Sequence, residues 1–230
     1  MKTLSKSEQQ SLTPTQAIEI LRHGNERFVK NLKLNRNLLQ QMNETREGQN
    51  PFAVIISCMD SRTSAELIFD QGLGDIFSIR IAGNIVNDEI LGSTEFGTFV
   101  VGAKVVMVVG HSGCGAVKGA IERVQLGHLE TITRKIQSAI PKNDLTFNTL
   151  SDNEKMAHVT HENVHHSLED LRSRSKIIAD LEESGKLALV GGVYDIASGQ
   201  VEFFDHPSVN SRPAKTIERR EHPHVSENSR

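Results

Sequence analysis

Lys104-Val105-Val106-Met107-Val108-Val109-Gly110-His111-Ser112-Gly113-Cys114-Gly115-Ala116 decides how this chain is read. Its first half is apolar and β-branched without polar alternation, the pattern of a strand buried on both faces in a parallel sheet. The glycines that follow break the strand into a turn, and residues 116–126 carry a helical pattern. Strand, glycine-rich turn and helix make half of a βαβ unit, and open α/β sheets collect ligand sites at the carboxyl ends of their strands. His111 and Cys114 stand at that end, and their three-residue offset lets one turn present both side chains to a single ion.

Working toward the N-terminus, Phe52-Ala53-Val54-Ile55-Ile56 reads as a second buried strand that runs out at Cys58-Met59-Asp60-Ser61-Arg62. A helix is expected over 64–70, a strand over 76–81 and a crossover helix over 91–102. Thr13-Pro14 resembles a helix start, and Ala17, Ile18, Leu21 and Phe28 give the segment after it an apolar face, with Gly24 counting against it. Residues 31–49 read as a polar arm or linker over the body or over a partner subunit. Toward the C-terminus, helices are expected over 130–140, 153–171 and 175–184, with Gly185 as a C-cap. A strand over 187–194 and a turn at 197–200 then lead into an edge strand over 201–204.

This alternation predicts an α/β fold: a central, mostly parallel β-sheet with an added edge strand, flanked by helices, with an N-terminal helical arm. The boundaries expected are an arm over 1–50, a catalytic α/β domain over 51–205 and a polar tail over 206–230. At 230 residues, 37% hydrophobic and 24% charged, the composition suits a globular domain with a sizeable core. A net charge of −3 and the lack of a basic stripe give no footprint for nucleic acid or an anionic membrane. The first residues lack the apolar core of a secretory signal and no stretch suits a bilayer span, so the expected location is the cytoplasm, where thiols stay reduced.

The chain has two cysteines, and each follows a buried strand. Either alone would read as a small buried hydrophobe. Cys58, His111 and Cys114 together form a donor set suited to a soft or borderline divalent metal, and zinc with three protein ligands keeps a fourth position open for chemistry. Asp60 and Arg62 lie beside the first thiolate, where a bidentate Arg–carboxylate pair would orient the carboxylate and keep it ionised.

Cys58-x-Asp60-x-Arg62 followed by His111-x-x-Cys114 resembles the signature of the β-class carbonic anhydrases. The likeness extends through Arg80-Ile81-Ala82-Gly83-Asn84 and the Gly110–Ala116 turn, covering about residues 49–126 strongly and 190–204 more weakly. It implies Zn2+ held by Cys58, His111 and Cys114, with water or hydroxide in the fourth position and attack on carbon dioxide to give bicarbonate. Asp60 is then the acceptor of the hydroxide proton, or a conditional fourth ligand if it swings away from Arg62. Gln49, Phe77 and Phe96 match substrate-side positions, partly across a subunit interface. A bicarbonate pocket known in some members has a tryptophan where this chain has Ile55, although Arg80 and Tyr194 match its other residues. Members form dimers or larger assemblies, so a homodimer or homotetramer is expected, and a helix unable to bury its face alone would suit one.

Three competing readings remain at this point. His161-Glu162-x-x-His165 fits a zinc-hydrolase pattern, with Glu182 or Glu183 as a third ligand. Gly113-x-Gly115 begins a phosphate-binding fingerprint, but Lys118 occupies the place of its third glycine. Cys58 and Cys114 could also form a switchable disulfide in a non-enzymatic redox or metal-binding module.

Overall fold

The structure is a computed structural model and describes residues 2–142 and 144–204. The tail expected over 206–230 lies outside the described residues. In chain order the elements are α1 (Lys6–Ser11), α2 (Pro14–Val29), α3 (Leu38–Glu44), β1 (Ala53–Ser57), α4 (Ala65–Ile68), β2 (Ile76–Arg80) and α5 (Asp88–Glu95). They continue with β3 (Val105–His111), α6 (Gly115–Ile121), α7 (Leu129–Gln137), α8 (Leu145–Thr149), α9 (Asp152–Arg174), α10 (Lys176–Glu183), β4 (Ala188–Tyr194) and β5 (Val201–Phe203).

The strands pair in the order β2-β1-β3-β4-β5, all parallel except the antiparallel edge strand β5. From β1 the chain crosses to β2 on one side and then to β3 on the other. β1 and β3 therefore flank the point where the sheet reverses its winding, the usual place for a ligand crevice in an open α/β sheet. Period-two alternation explains why their sequences look apolar throughout. Ala53 and Ile55, with Val105, Met107 and Val109, face α2 and α4. Val54 and Ile56, with Val106 and Val108, face α5, α9 and α10. A third cluster, formed by α6, α7 and α8, closes over the carboxyl ends of β1 and β3 and includes both cysteines.

Several expected elements change length for local reasons. The helix expected over 64–70 is the single turn α4, and the one expected over 91–102 begins earlier, where the Asn87 side chain accepts from the Ile90 N–H. It ends in a π-helical turn, Phe96–Val100. Within the expected arm and the polar loop, α1, α3 and α8 are short helices capped by Ser5, Asn37 and Asp144. Their apolar content is too small for periodicity to reveal them.

The N-terminal helix departs from the expectation that it needs a partner to cover its apolar face. Ala17, Ile18 and Leu21 are fully buried in the cluster that contains Ile55, Met107 and Val190 of the same chain. The segment after it is fastened by Asp70, which accepts from Arg27, Arg36 and the Leu34 N–H at the end of α4. Burial would raise that carboxyl's pKa, but the two guanidiniums hold it below its ordinary value.

Gly24, which counted against the helix, is what lets α2 dock: a Cβ there would lie 1.8 Å from the Phe69 carbonyl oxygen. In an exposed helix Gly→Ala stabilises by up to about 1 kcal/mol. Here Gly24→Ala is expected to destabilise by about 1–3 kcal/mol, the cost of overpacking, read as a lower midpoint in urea denaturation; a gain in stability would refute this packing argument.

Candidate metal centre

β1 and β3 pair with Ser57 opposite Val109, so Cys58 leaves the sheet beside the end of β3, where His111 and the turn to Cys114 follow. All three side chains are buried, and their ligand atoms lie within 4.8 Å of one another. The two Sγ atoms are 3.9 Å apart and unbonded. His111 Nδ1 lies 3.0 Å from the Ser112 carbonyl oxygen, which can only accept, so Nδ1 carries the proton. That leaves the Nε2 lone pair buried among the described residues without a partner. A buried imidazole lone pair beside two thiols fits a borderline divalent cation such as zinc.

The backbone is arranged to receive negative charge on sulfur. The Gly83 N–H donates to Cys58 Sγ at 3.4 Å. Cys114 is the N-cap of α6, and the N–H groups of Val117 and Ala116 favour its thiolate. The hydrogen bond between the two sulfurs pulls the Cys58 pKa down against its burial, and the same contact, together with burial and the Cys58 charge, pushes that of Cys114 up.

Asp60 and Arg62 meet as a bidentate pair at 2.9 and 2.7 Å, and the Arg62 N–H donates to the same carboxylate at 2.9 Å. Hydrogen bonding from the guanidinium holds the Asp60 carboxyl well below the usual range. With its carboxylate on Arg62, Asp60 is not a member of the three-residue ligand cluster.

The turn carrying Cys58 and Asp60 is clamped by residues to which sequence reasoning assigned no part in holding it. The Thr63 hydroxyl reaches the carbonyls of Cys58 and Asp60 at 3.0 and 2.9 Å, and the Arg80 guanidinium donates to the same two oxygens. Arg80, expected as part of a bicarbonate pocket, is thus engaged with backbone. Ile55 is fully buried within β1, and Tyr194 is buried opposite His111 on β4. Across the turn, the Ser112 hydroxyl donates to Asp195 and accepts from the Ile196 N–H, tying the histidine loop to the end of β4.

Of the substrate-side candidates, Gln49 is exposed before β1. Phe77 and Phe96 come together with ring centroids 6.2 Å apart. They line a cleft of about 480 Å³ along β2 with Ser78, Ile79, Glu89, Gly92 and Ser93, a lining that contains none of the three ligand residues.

The second metal-like motif does not converge on an ion. The rings of His161 and His165 stack on Phe204 at 5.1 and 4.7 Å, and Glu182 is paired with Arg172. Among the described residues, Cys58, His111 and Cys114 form the group of three metal-ligand side chains.

Residues 53–201 match the family model described as carbonic anhydrase. The chain belongs to the β-class carbonic anhydrases. It is 33% identical over 199 residues to carbonic anhydrase 2 of Mycobacterium tuberculosis, covering 84% of this chain and 94% of that one. It is 32% identical over 195 residues to a carbonic anhydrase of Mycolicibacterium smegmatis, with the same coverage of 84% and 94%. The structure of the β-carbonic anhydrase CafA of Aspergillus fumigatus matches with a TM-score of 0.66 at 26% identity, covering 73% of this chain and 82% of that one. This family membership agrees with the zinc-type donor set and lends no support to the readings as a protease-like hydrolase, a nucleotide-binding module or a disulfide switch.

Because a metal takes these thiols as thiolates and the imidazole in its neutral form, zinc uptake is expected to release protons and to weaken as the pH falls. Calorimetric titration in buffers of different ionisation enthalpy measures this. Uptake without proton release, at an affinity independent of pH, would remove the two thiols as ligands.

Proposed function

We propose that this chain catalyses the reversible hydration of carbon dioxide to bicarbonate and a proton, with zinc bound by Cys58, His111 and Cys114. The observation that carries the reading is the convergence of two buried thiols and an unpartnered imidazole Nε2 on one point. Bound zinc would supply an acidified water, its pKa lowered from about 15.7 toward roughly 7. Three protein ligands leave one coordination position for that water.

Asp60 is proposed to accept the hydrogen bond of the nucleophile and so aim an oxygen lone pair at carbon dioxide. Arg62 supports this role by keeping the carboxylate ionised and fixed in orientation. An ionised carboxylate can accept but cannot donate, so its contact with the nucleophile has a single sense. Movement of Asp60 into the fourth position would require three hydrogen bonds to Arg62 to break, which favours an open site at neutral pH. Asp60→Asn, compared with wild type at equal zinc content in a stopped-flow hydration assay, is expected to lose about a hundredfold or more in rate. Zinc should be retained in Asp60→Asn and lost in Cys58→Ser. Full activity in metal-loaded Asp60→Asn would remove the role given to Asp60, and absence of hydration by metal-loaded wild type would remove the function itself.

Phe77 and Phe96 are proposed to form an apolar wall for carbon dioxide, with Gln49 as a polar substrate contact, completed by a second copy of the chain. Support comes from surface chemistry: Phe96, Phe99 and Val100 are 52%, 65% and 66% exposed on the π-helical turn. β2 beside them has β1 as its sole sheet neighbour among the described strands. A homodimer or homotetramer would cover this patch. The cytoplasm is proposed as the location, because both cysteines must stay reduced to serve as ligands. Sedimentation of the wild type is expected to give at least twice the chain mass of 25.5 kDa, and Phe99→Glu should shift it toward one chain. A wild type that sediments as a single chain would overturn the assembly.

A further inference from the structure

We infer that Asn163 and Ser167 of α9 are positioning residues for the metal centre, acting on the Cys58 thiolate through the backbone of Gly83 and Asn84. Asn163 Nδ2 donates to the Gly83 carbonyl at 2.8 Å, and the Ser167 hydroxyl donates to the Asn84 carbonyl at 3.0 Å. The N–H of the same Gly83 donates to Cys58 Sγ. Asn163 and Ser167 are one helical turn apart on the same face of α9, and both are buried.

The turn they hold has one backbone bond of its own, from the Asn84 N–H to the Ile81 carbonyl at 3.0 Å. Gly83 and Asn84 have φ of 67° and 43°, two successive left-handed residues of which the second is not glycine. That conformation is disfavoured for a residue with a Cβ and persists where the surroundings impose it. Two buried donors on the two carbonyls of this turn impose it from one side. From the other, a Cβ on residue 83 would meet Ile136 Cδ1 at 2.5 Å and Ala116 Cβ at 3.2 Å, so a glycine packed against α6 and α7 is needed. Released from Asn163 and Ser167, the turn would relax and its N–H would rotate away from the sulfur.

An N–H donor draws charge from a thiolate and fixes its direction, as outer-shell groups do at metal sites generally. The inference rests on the reading that Cys58, His111 and Cys114 hold the metal, and cobalt(II) substitution of the full chain separates the two. Wild-type protein should bind one cobalt with a sulfur-to-cobalt charge-transfer band. Asn163→Leu, which keeps the branched shape and the number of side-chain heavy atoms and removes the donor, should move that band to lower energy and weaken cobalt binding by about tenfold in chelator competition. Ser167→Ala should shift it the same way with milder structural consequences, whereas Ser167→Thr should keep the wild-type band.

Leu171→Ala, a cavity in the same helix at a fully buried position, controls for general destabilisation and should lower the melting temperature without moving the band. Unchanged bands at full cobalt occupancy in Asn163→Leu and Ser167→Ala, or an equal shift in Leu171→Ala, would overturn the inference. A wild type that takes up no cobalt with a thiolate band would instead overturn the metal-site reading beneath it.

Discussion

The in-register parallel pairing of β1 with β3 is the constraint on which the rest of this molecule depends. A ligand set drawn from positions 58, 111 and 114 converges only if Ser57 sits opposite Val109. A slip of one residue in β1 would turn Val54 and Ile56 toward α2 and α4 and send the next side chain to the wrong face. Because both faces of these strands are buried, it is side-chain packing against the helices on each side that holds this register and so locates the thiol. β2, paired on the other side of β1, contributes Arg80 to the carbonyls of the turn that carries Cys58 and Asp60. Packing thus fixes the strands, and the strands fix the chemistry.

Charge governs the next level. Two thiolates in a buried pocket are unfavourable unless hydrogen bonds and a cation compensate them. Backbone N–H groups from Gly83 and from the first turn of α6 point at the sulfurs, and a divalent cation would balance the remaining charge. Two thiolates donate more charge than imidazoles would, which opposes acidification of a bound water. N–H donors on sulfur work against that effect. A third anion in the same space would leave the centre net negative, which gives Arg62 a reason to hold Asp60 beside the cluster rather than in it.

How much of this could be read from the sequence depends on the range of the interaction concerned. Long apolar runs marked β1, β3 and β4 because burial on both faces leaves a continuous signature, and the ligands were legible because they follow those runs directly. α1, α3 and α8 leave no such mark, since a helix of one or two turns held by its cap has too few apolar residues to show a period. Gly24 reads from sequence as a weakness in α2, although a close approach to the Phe69 carbonyl is the reason it is glycine; that contact joins residues far apart in sequence. The sequence does not mark Thr63 or Arg80 as clamps of a backbone turn, because neither residue type announces that role. His161 and His165 attracted attention for their spacing, but their rings stack on Phe204, and Asn163 between them is the side chain that reaches the backbone beside the ligands.

The burial of α2 also bears on assembly. An amphipathic N-terminal helix suggested a surface waiting for a second subunit, yet its apolar face is spent on the chain's own sheet. Apolar surface that remains uncovered lies elsewhere: on the π-helical turn at Phe96, Phe99 and Val100, and along α3 at Leu38, Leu39 and Met42. Scattered single exposures would need no explanation, but clustered aromatic and aliphatic side chains beside an open strand edge do. Phe77 and Phe96 form their cleft at the same edge, with a lining that includes none of the ligand residues. If these aromatics serve carbon dioxide, a single chain is an incomplete site, and the subunit contact is part of the catalytic design as well as of stability.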